Sequence, residues 1–423
     1  MDSGKKVIGL HIPLVVVVGL LLTATSIKAP GQEQVLHSFN GRDGFFPVGV
    51  ILDAAGNLYG TTTFGSRDSK SCHSGSNGCG TIFNLSLGQD GKWTTTVLYS
   101  FNANGKQGSN PYAGLVMDAA GSLYGTTWLG GNVDICGSGC GTVFKLSPSG
   151  NGKWTETVLH SFHGKDGANP YAGLVFDTAG NLYGTTWMGG TESCDCGVIF
   201  KLSPGTNGKW TEAVLHSFNG KDGANPHAGL VFDTAGNLYG TTFSTTDGES
   251  TVFKLTPGAN GKWTHAVAHA FNGKDGENLY AGVVVDAEGN LFGAAAGGGA
   301  YGDGTIFKLT PGTNGKWGET VLHDFNGKDG AGPQADVALD ATGNLYGTTV
   351  SGGNSKSCIG CGAVFKLSLG ADRKWTETVL HSFNGHDGEG PALGNLIFDT
   401  ARNLYGTTIV GGNRGYGVVF ELK

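Results

Sequence analysis

The stretch Ala172–Phe218, AGLVFDTAGNLYGTTWMGGTESCDCGVIFKLSPGTNGKWTEAVLHSF, decides the fold. It contains four short apolar runs separated by turn residues. Thr-Ala-Gly joins the first two runs, a small-residue loop with two cysteines follows the second, and Pro-Gly-Thr-Asn-Gly-Lys precedes the fourth. Short apolar runs broken by Gly, Asn and Pro are typical of β-strands joined by tight turns. The stretch therefore predicts a four-stranded antiparallel meander.

Most of the remaining chain repeats this pattern. The fourth-run motif, apolar-apolar-His-Ser-Phe-Asn-Gly with small departures, begins at Val35, Val97, Val158, Val214, Val267, Val321 and Val379. The first run also occurs seven times, so the chain forms one repeat array and not the separate domains that its length would otherwise suggest. The 77 glycines occupy fixed places in this frame, which indicates turns in an all-β protein and not disorder.

Seven meanders could form a propeller, a solenoid or separate sheets. Solenoid coils are usually shorter and parallel, and separate sheets would leave their faces and edges exposed. The last unit ends after its third run, whereas an extra fourth-run segment, Gln34–Phe39, precedes the first unit. We therefore predict an all-β, seven-bladed β-propeller of four-stranded antiparallel blades, closed by the N-terminal strand completing the last blade.

The N-terminus is predicted to be a secretory signal over residues 1–29. Lys5 and Lys6 precede an apolar run from Ile12 to Leu22, and small residues follow that run. A membrane anchor is the alternative, but Pro13 and the short run argue against a span of ~20 apolar residues. We expect residues 30–423 to form the exported propeller, secreted or periplasmic and not attached to a membrane once the signal is removed.

The net charge and the fraction of charged residues indicate which classes of partner the protein can bind. A net charge of -7 and a charged fraction of 14% provide no basic surface for nucleic acid. The sequence contains no phosphate-binding loop or zinc-protease motif. We therefore expect a monomer that binds no nucleic acid, cofactor or metal.

The eight cysteines form four close pairs, each in a loop between the second and third runs. In an exported protein an even number of cysteines indicates disulfides, whereas a zinc site would need pairs from different repeats to converge. Alternation of antiparallel strands puts these loops on the same rim as the blade-to-blade crossovers. The predicted bridges are Cys72–Cys79, Cys136–Cys140, Cys194–Cys196 and Cys358–Cys361.

The units can be compared with a known family. Gly-Leu-Val-Phe-Asp-Thr-Ala-Gly-Asn-Leu-Tyr-Gly-Thr-Thr, then Val-Phe-Lys-Leu-Ser-Pro and Trp-Thr-Glu-Thr-Val-Leu-His-Ser-Phe, resemble the Gloeobacter/Verrucomicrobia (GloVer) repeat family over about residues 33–423. The resemblance implies exported bacterial repeat proteins with a propeller-like fold and no established activity.

Departures from the repeat provide the candidate site residues. Trp128 and Trp187 follow the Thr-Thr of adjacent units and could form two platforms for a sugar ring, although strand-end packing explains them as well. Asp166 and Asp222, in the Gly-Lys-Asp-Gly crossovers, could contribute to an acidic ring or simply hold Asx turns. Tyr301 lies in a locally altered unit that could open a pocket.

Two classes of function fit this pattern. The first is a non-catalytic binding module or scaffold that contacts a glycan or a protein through the cysteine-bearing rim. The second is an extracellular polysaccharide lyase or hydrolase with its active site on the same rim. An active site needs non-equivalent acid and base side chains that converge. The unusual polar residues form no evident pair, which favours binding; they are His163, His227, Glu277, Tyr301 and His386.

Overall fold

The computed structural model describes residues 1, 33–66, 72, 77–102, 107–131 and 133–423. The described residues form seven four-stranded antiparallel sheets and one small two-stranded sheet. This arrangement confirms the predicted seven-bladed propeller. The predicted signal peptide, apart from Met1, lies outside the described residues. In the part of the chain that is described, no helix is both long enough and apolar enough to cross a membrane.

Each blade is numbered along the chain, and its strands are counted outward from the central channel. Blade 1 contains Phe45–Leu52, Leu58–Phe64, Thr81–Leu87 and Trp93–Ser100; blade 2 contains Val116–Met117, Leu123–Thr127, Thr142–Pro148 and Trp154–Ser161; blade 3 contains Val175–Phe176, Leu182–Thr186, Val198–Pro204 and Trp210–Ser217; blade 4 contains Val231–Phe232, Leu238–Thr242, Thr251–Pro257 and Trp263–Ala270. Blade 5 contains Val283–Val285, Leu291–Ala295, Thr305–Pro311 and Trp317–Asp324; blade 6 contains Ala338–Leu339, Leu345–Thr349, Ala363–Leu369 and Trp375–Ser382; blade 7 contains Ile397–Phe398, Leu404–Thr408 and Val418–Leu422, with Glu33–Ser38 outermost. The remaining elements are the strand pair Gly108–Ser109 and Leu129–Gly130, the short helix Val133–Cys136, and the 3₁₀ turns Ala259–Gly261 and Thr313–Gly315.

The ring is closed by the N-terminal strand. Glu33–Ser38 pairs antiparallel with Val418–Leu422, with Val35 opposite Phe420. The edge of the last blade, whose backbone groups would otherwise face solvent, is covered by this pairing. The predicted strand exchange is confirmed, with the strand starting one residue before the predicted Gln34.

Adjacent blades pack through pairs of phenylalanine rings. Phe162, after the fourth strand of blade 2, meets Phe200 on the third strand of blade 3 edge to face, with ring centroids 5.1 Å apart. The Phe200 ring also lies against Gly184 of the Tyr-Gly-Thr-Thr motif, where an added Cβ would be 2.7 Å from the ring. The motif therefore contains glycine at this position because the phenylalanine occupies the space of a side chain. Offset and edge-to-face pairs of this kind add to the apolar burial that holds blades together.

The threonines of the Tyr-Gly-Thr-Thr motif form hydrogen bonds between adjacent blades. Thr126 donates its hydroxyl hydrogen to the Ala172 carbonyl of the following blade at 2.9 Å, and Thr185 does the same to Ala228 at 3.2 Å. Both threonine side chains are buried, so these bonds satisfy groups that water cannot reach. Blade 5 has Ala294 at this position and lacks the equivalent hydroxyl.

The Asp-x-x-Gly-Asn-Leu-Tyr hairpin is held by its aspartate. Asp177 accepts the backbone N–H groups of Ala179 and Asn181 at 2.9 and 2.8 Å. Its other oxygen accepts the Asn181 amide at 2.7 Å and the Tyr183 hydroxyl at 3.1 Å. Burial opposes ionisation, but these hydrogen bonds outweigh it and lower the pKa of Asp177. The aspartate is therefore a structural turn residue.

Candidate functional site

A central channel provides the candidate site. The first strands and the crossovers of all seven blades line a cavity of about 330 Å³. This volume is at the lower end of the range for small-molecule pockets. The side chains around it differ from blade to blade, and those differences give the site its chemistry.

The crossovers into the first strands place aromatic side chains at the mouth of the channel. Asn169 donates its backbone N–H to the Cys140 carbonyl at 2.7 Å and its side-chain amide to the Trp128 carbonyl at 2.9 Å. Its own carbonyl accepts the Trp187 backbone N–H at 3.2 Å. Asn169 has a φ of 53°, in the left-handed region that asparagine tolerates better than most residues. One crossover asparagine thus joins a cysteine loop to both tryptophans.

The residue after the crossover proline, or after Leu279 in blade 5, forms the inner row of an aromatic surface. The Tyr112 and Tyr171 rings are stacked with centroids 4.8 Å apart, and the His227 ring lies 3.8 Å from that of Tyr171. Tyr280 continues the row, with its ring 4.9 Å from His227. All four residues line the central cavity.

The ends of the second strands form an outer row behind it. The Trp128 and Trp187 rings are 6.4 Å apart, and Phe243 lies 6.1 Å beyond Trp187. Trp128 also contacts Tyr171 edge to face at 5.4 Å, so the rows are continuous. All of these rings except His227 are half-buried and keep part of their surface open to solvent. We call the two rows the aromatic arc: Tyr112, Tyr171, His227, Tyr280, Trp128, Trp187 and Phe243.

The opposite side of the channel is polar and aliphatic. Gln334, Asp336 and Asn395 line the cavity from blades 6 and 7. The positions equivalent to Trp128 are occupied there by Val350 and Ile409. The mouth of the channel therefore has an aromatic half and a half with carboxylate and amide groups.

The His227 side chain resembles the neighbouring aromatic rings because it carries no charge. Only 7% of the residue is exposed. Burial lowers its pKa to about 3, although a hydrogen bond to the Tyr280 backbone acts in the other direction. The imidazole is therefore uncharged at neutral pH and contributes a flat, weakly polar face to the wall.

The predicted site residues fall into two groups. Trp128 and Trp187 come together in the aromatic arc. Asp166 and Asp222 lie at the blade perimeter and do not line the cavity, and Tyr301 is 67% exposed in a loop of blade 5. The geometry thus brings together only the two tryptophans, and a ligand-binding role for each of these five residues stays a prediction.

Asp166 and Asp222 are bonded to histidines of the fourth strands. The Asp166 carboxylate lies 2.9 Å from His160 Nε2 and accepts the His163 backbone N–H at 2.8 Å, and Asp222 lies 3.0 Å from His216 Nε2. The same histidine–aspartate pair, six residues apart, occurs at His37–Asp43, His269–Asp275, His323–Asp329 and His381–Asp387.

A glutamate of the following blade faces many of these pairs. Glu212 lies near His160 and Asp166, and burial followed by the charge of Asp166 raises its pKa to about 7 against the opposing effect of His160. Burial and the nearby Asp329 raise the pKa of Glu377 to about 7 in the same way. Among the described residues, neither Glu212 Oε1 nor Glu377 Oε1 has a hydrogen-bond partner. These clusters are spread around the perimeter and form interfaces between blades.

All four predicted disulfides are present. The loops that contain them are bonded to the crossovers: the Cys196 carbonyl accepts the Asn225 N–H at 2.8 Å, and the Asn225 amide donates to the Trp187 carbonyl at 2.9 Å. The bridge Cys194–Cys196 spans a sequence separation of 2. Disulfides at these positions are typical of proteins in an oxidising compartment.

The inner row of tyrosines and the polar residues opposite were missed from the sequence. Tyr112 and Tyr171 belong to a repeated Asn-Pro-Tyr motif, which looks like scaffold when units are compared one at a time. The signal that could have found them is the change at that position around the ring, to His227 and then Gln334. Asp336, where other units have glycine, is the same kind of signal.

Chemically, the mouth can stack flat apolar faces and accept hydrogen bonds from donors at the same time. This combination makes the mouth of the channel the candidate site of the propeller. The chain belongs to the Gloeobacter/Verrucomicrobia repeat family, whose model matches residues 22–155, 70–265, 134–315 and 241–423. No curated protein sequence matches it.

Two solved structures share the fold. Virginiamycin B lyase from Staphylococcus aureus has 14% sequence identity and a TM-score of 0.51, with 93% of this chain and 98% of that chain covered. The extracellular domain of a putative hybrid two-component system from B. thetaiotaomicron has 11% identity and a TM-score of 0.56, with 92% of this chain and 39% of that chain covered. At these identities the likeness concerns the propeller alone.

Proposed function

We propose that the protein is an exported, monomeric, non-catalytic binding propeller that holds a carbohydrate chain at the mouth of its channel, on the rim bearing the cysteine loops. The observation that carries the proposal is the aromatic arc, a continuous set of partly exposed rings on one side of a cavity with amide and carboxylate groups on the other. Sugar rings have apolar faces that stack on aromatic side chains and hydroxyl edges that bond to such polar groups.

The asymmetry of the ring supports this function. A propeller scaffold needs the same packing in every blade, yet among the described residues the aromatic side chains that line the cavity come from blades 2 to 5 alone. The tryptophan backbones are fastened through Asn169 and Asn225 to disulfide-bearing loops. Aromatic platforms held in place before binding lose little conformational entropy when a ligand arrives.

The content of the cavity favours binding over the hydrolase form of the alternative. Among the described residues that line the cavity, Asp336 is the one carboxylate. Glycoside hydrolysis commonly uses two carboxylates across the scissile bond.

The test is a glycan array with the mature protein, followed by calorimetry on the best ligand. Trp187→Ala and Trp128→Ala are each expected to weaken binding at least tenfold, about 1.4 kcal/mol or more. Trp210→Ala and Trp154→Ala are the matched controls, because each begins the fourth strand of the same blade and pairs with the end of the third strand that is farther from the arc tryptophan. Unchanged binding by both arc variants, or turnover of a polysaccharide by the purified protein, would refute the proposal.

A further inference from the structure

One acid lines the channel at a position that is glycine in five of the other six blades. Asp336 of blade 6 aligns with glycine in five blades and with Asn395 in blade 7, and all of these residues except Gly282 line the cavity. The glycines are Gly49, Gly114, Gly173, Gly229 and Gly282. Since five blades form the same first strand with glycine, the fold itself does not need a carboxylate here.

Asp336 is held between its neighbours on both sides. One carboxylate oxygen accepts the Gly282 backbone N–H at 2.6 Å, and the other accepts the Asn395 side-chain amide at 2.9 Å. The Asp336 backbone N–H in turn donates to the Asn395 side-chain oxygen at 3.2 Å. Each carboxylate oxygen therefore has one of these bonds and keeps a further lone pair for a ligand.

The cavity supplies no positive charge to balance this carboxylate. Among the described residues that line it there is no lysine or arginine, and the one histidine, His227, is uncharged at neutral pH. Asp336 is partly exposed in the channel, and an opposite charge beside it would stabilise its ionised form. The missing charge can be brought by a ligand.

We infer that the carbohydrate bound at the channel mouth carries a free ammonium group, as an amino sugar does, and that this group pairs with Asp336 beside the aromatic arc. The inference rests on the function proposed above and adds the chemical class of the ligand. An ammonium group has three donors and is attracted to the faces of tyrosine rings, so both sides of the mouth suit it. A calcium ion fits less well, because it needs ~6–8 oxygen ligands.

The binding of an ammonium group should also change the protonation of Asp336. Enclosure raises the pKa of Asp336 in the free protein, against the hydrogen bonds from Gly282 and Asn395. A bound ammonium favours the ionised carboxylate. Binding is therefore expected to release protons from the protein and to tighten as pH rises through the pKa of Asp336 while the ligand amine stays charged.

The experiment compares two tetramers by calorimetry at constant ionic strength, one of glucosamine and one of N-acetylglucosamine. The proteins are the wild type, Asp336→Asn, Asp336→Gly and Trp187→Ala, each checked by melting temperature. Asp336→Asn removes the charge at nearly constant shape, and Asp336→Gly restores the residue of five other blades, so at least one should fold.

The wild type is expected to bind the glucosamine tetramer at least tenfold more tightly. Both Asp336 variants should lose this preference because their affinity for the glucosamine tetramer falls at least fivefold more than their affinity for the acetylated tetramer, and Trp187→Ala should weaken both ligands. Equal wild-type affinity for the two tetramers, or a preference that survives in Asp336→Asn, overturns the ammonium inference and leaves the glycan proposal standing. Failure of both tetramers to bind overturns this inference, and the glycan array then decides the proposed function separately.

Discussion

The glutamates between blades make stability depend on pH in a direction that a single substitution can test. Glu212 lies near the His160–Asp166 pair of the preceding blade, and its pKa rises from 4.5 to about 7 on folding. The folded state therefore holds this proton more tightly than the unfolded state does. Stability from the protonated form is complete below pH 4.5 and is lost as pH rises through about 7.

The size of the effect follows from the shift. A change from 4.5 to about 7 corresponds to ~3 kcal/mol without solvent screening. Glu212 is half-buried, and screening reduces the value to ~1–2 kcal/mol. Glutamine resembles the protonated acid, so Glu212→Gln should be more stable than the wild type by ~1–2 kcal/mol at pH 8 and within ~0.5 kcal/mol of it at pH 4.

The assay is urea unfolding at pH 4, 6 and 8, with the exposed Glu249→Gln as the control. The difference in midpoint between Glu212→Gln and the wild type should grow with pH, whereas the Glu249 control should follow the wild type throughout. If Glu212→Gln is less stable than the wild type at pH 8, the glutamate acts as an ionised partner of His160, and the reasoning from burial is wrong.

Three further predictions concern the scaffold. Gly184→Ala should destabilise the protein by ~1–3 kcal/mol, since the new Cβ would meet the Phe200 ring at 2.7 Å, whereas Gly173→Ala, whose nearest neighbour would be 3.7 Å away, should change the urea midpoint little. Thr126→Val should cost ~1–2 kcal/mol in the same assay because the buried Ala172 carbonyl loses its donor, and Thr155→Val on the outer face serves as the control. Removing residues 30–40 in addition to 1–29 should lower the melting temperature and open the last blade to proteolysis, and a variant that lacks only 1–29 should keep the full melting temperature.

The fold could be predicted from the sequence because the residues that determine each blade lie close together in the chain and recur in every unit. Each unit contains its own turns, and the shift between the last unit and Gln34–Phe39 indicated how the ring closes. Placing Trp128 and Trp187 side by side required only that adjacent units become adjacent blades. The disulfides followed for the same reason, since each pair lies within one loop.

The remaining residues of the site could not be predicted from the sequence. Their selection depends on which residues from distant units face each other across the channel. Asp336 meets Asn395, 59 residues along the chain, and no spacing rule links them. The histidine and aspartate six residues apart are separate repeated positions in the sequence, and their mutual bond depends on how the chain leaves the fourth strand. Contacts between blades depend on how all seven blades are arranged around the channel. The sequence of one unit does not determine that arrangement.

Closure by Glu33–Ser38 has a consequence for the time order of folding. Ser38 accepts a hydrogen bond from the Asn413 backbone N–H, across 375 residues of sequence. The strand Glu33–Ser38 thus waits for the strand Val418–Leu422, which is synthesised much later, and the ring cannot be completed before that. Before the N-terminal strand pairs with it, the strand Val418–Leu422 has an unpaired edge. Such an edge can pair with a strand from another molecule. Misassembly between nascent copies should therefore occur by exchange of this N-terminal segment, with blades 1–6 intact in each copy.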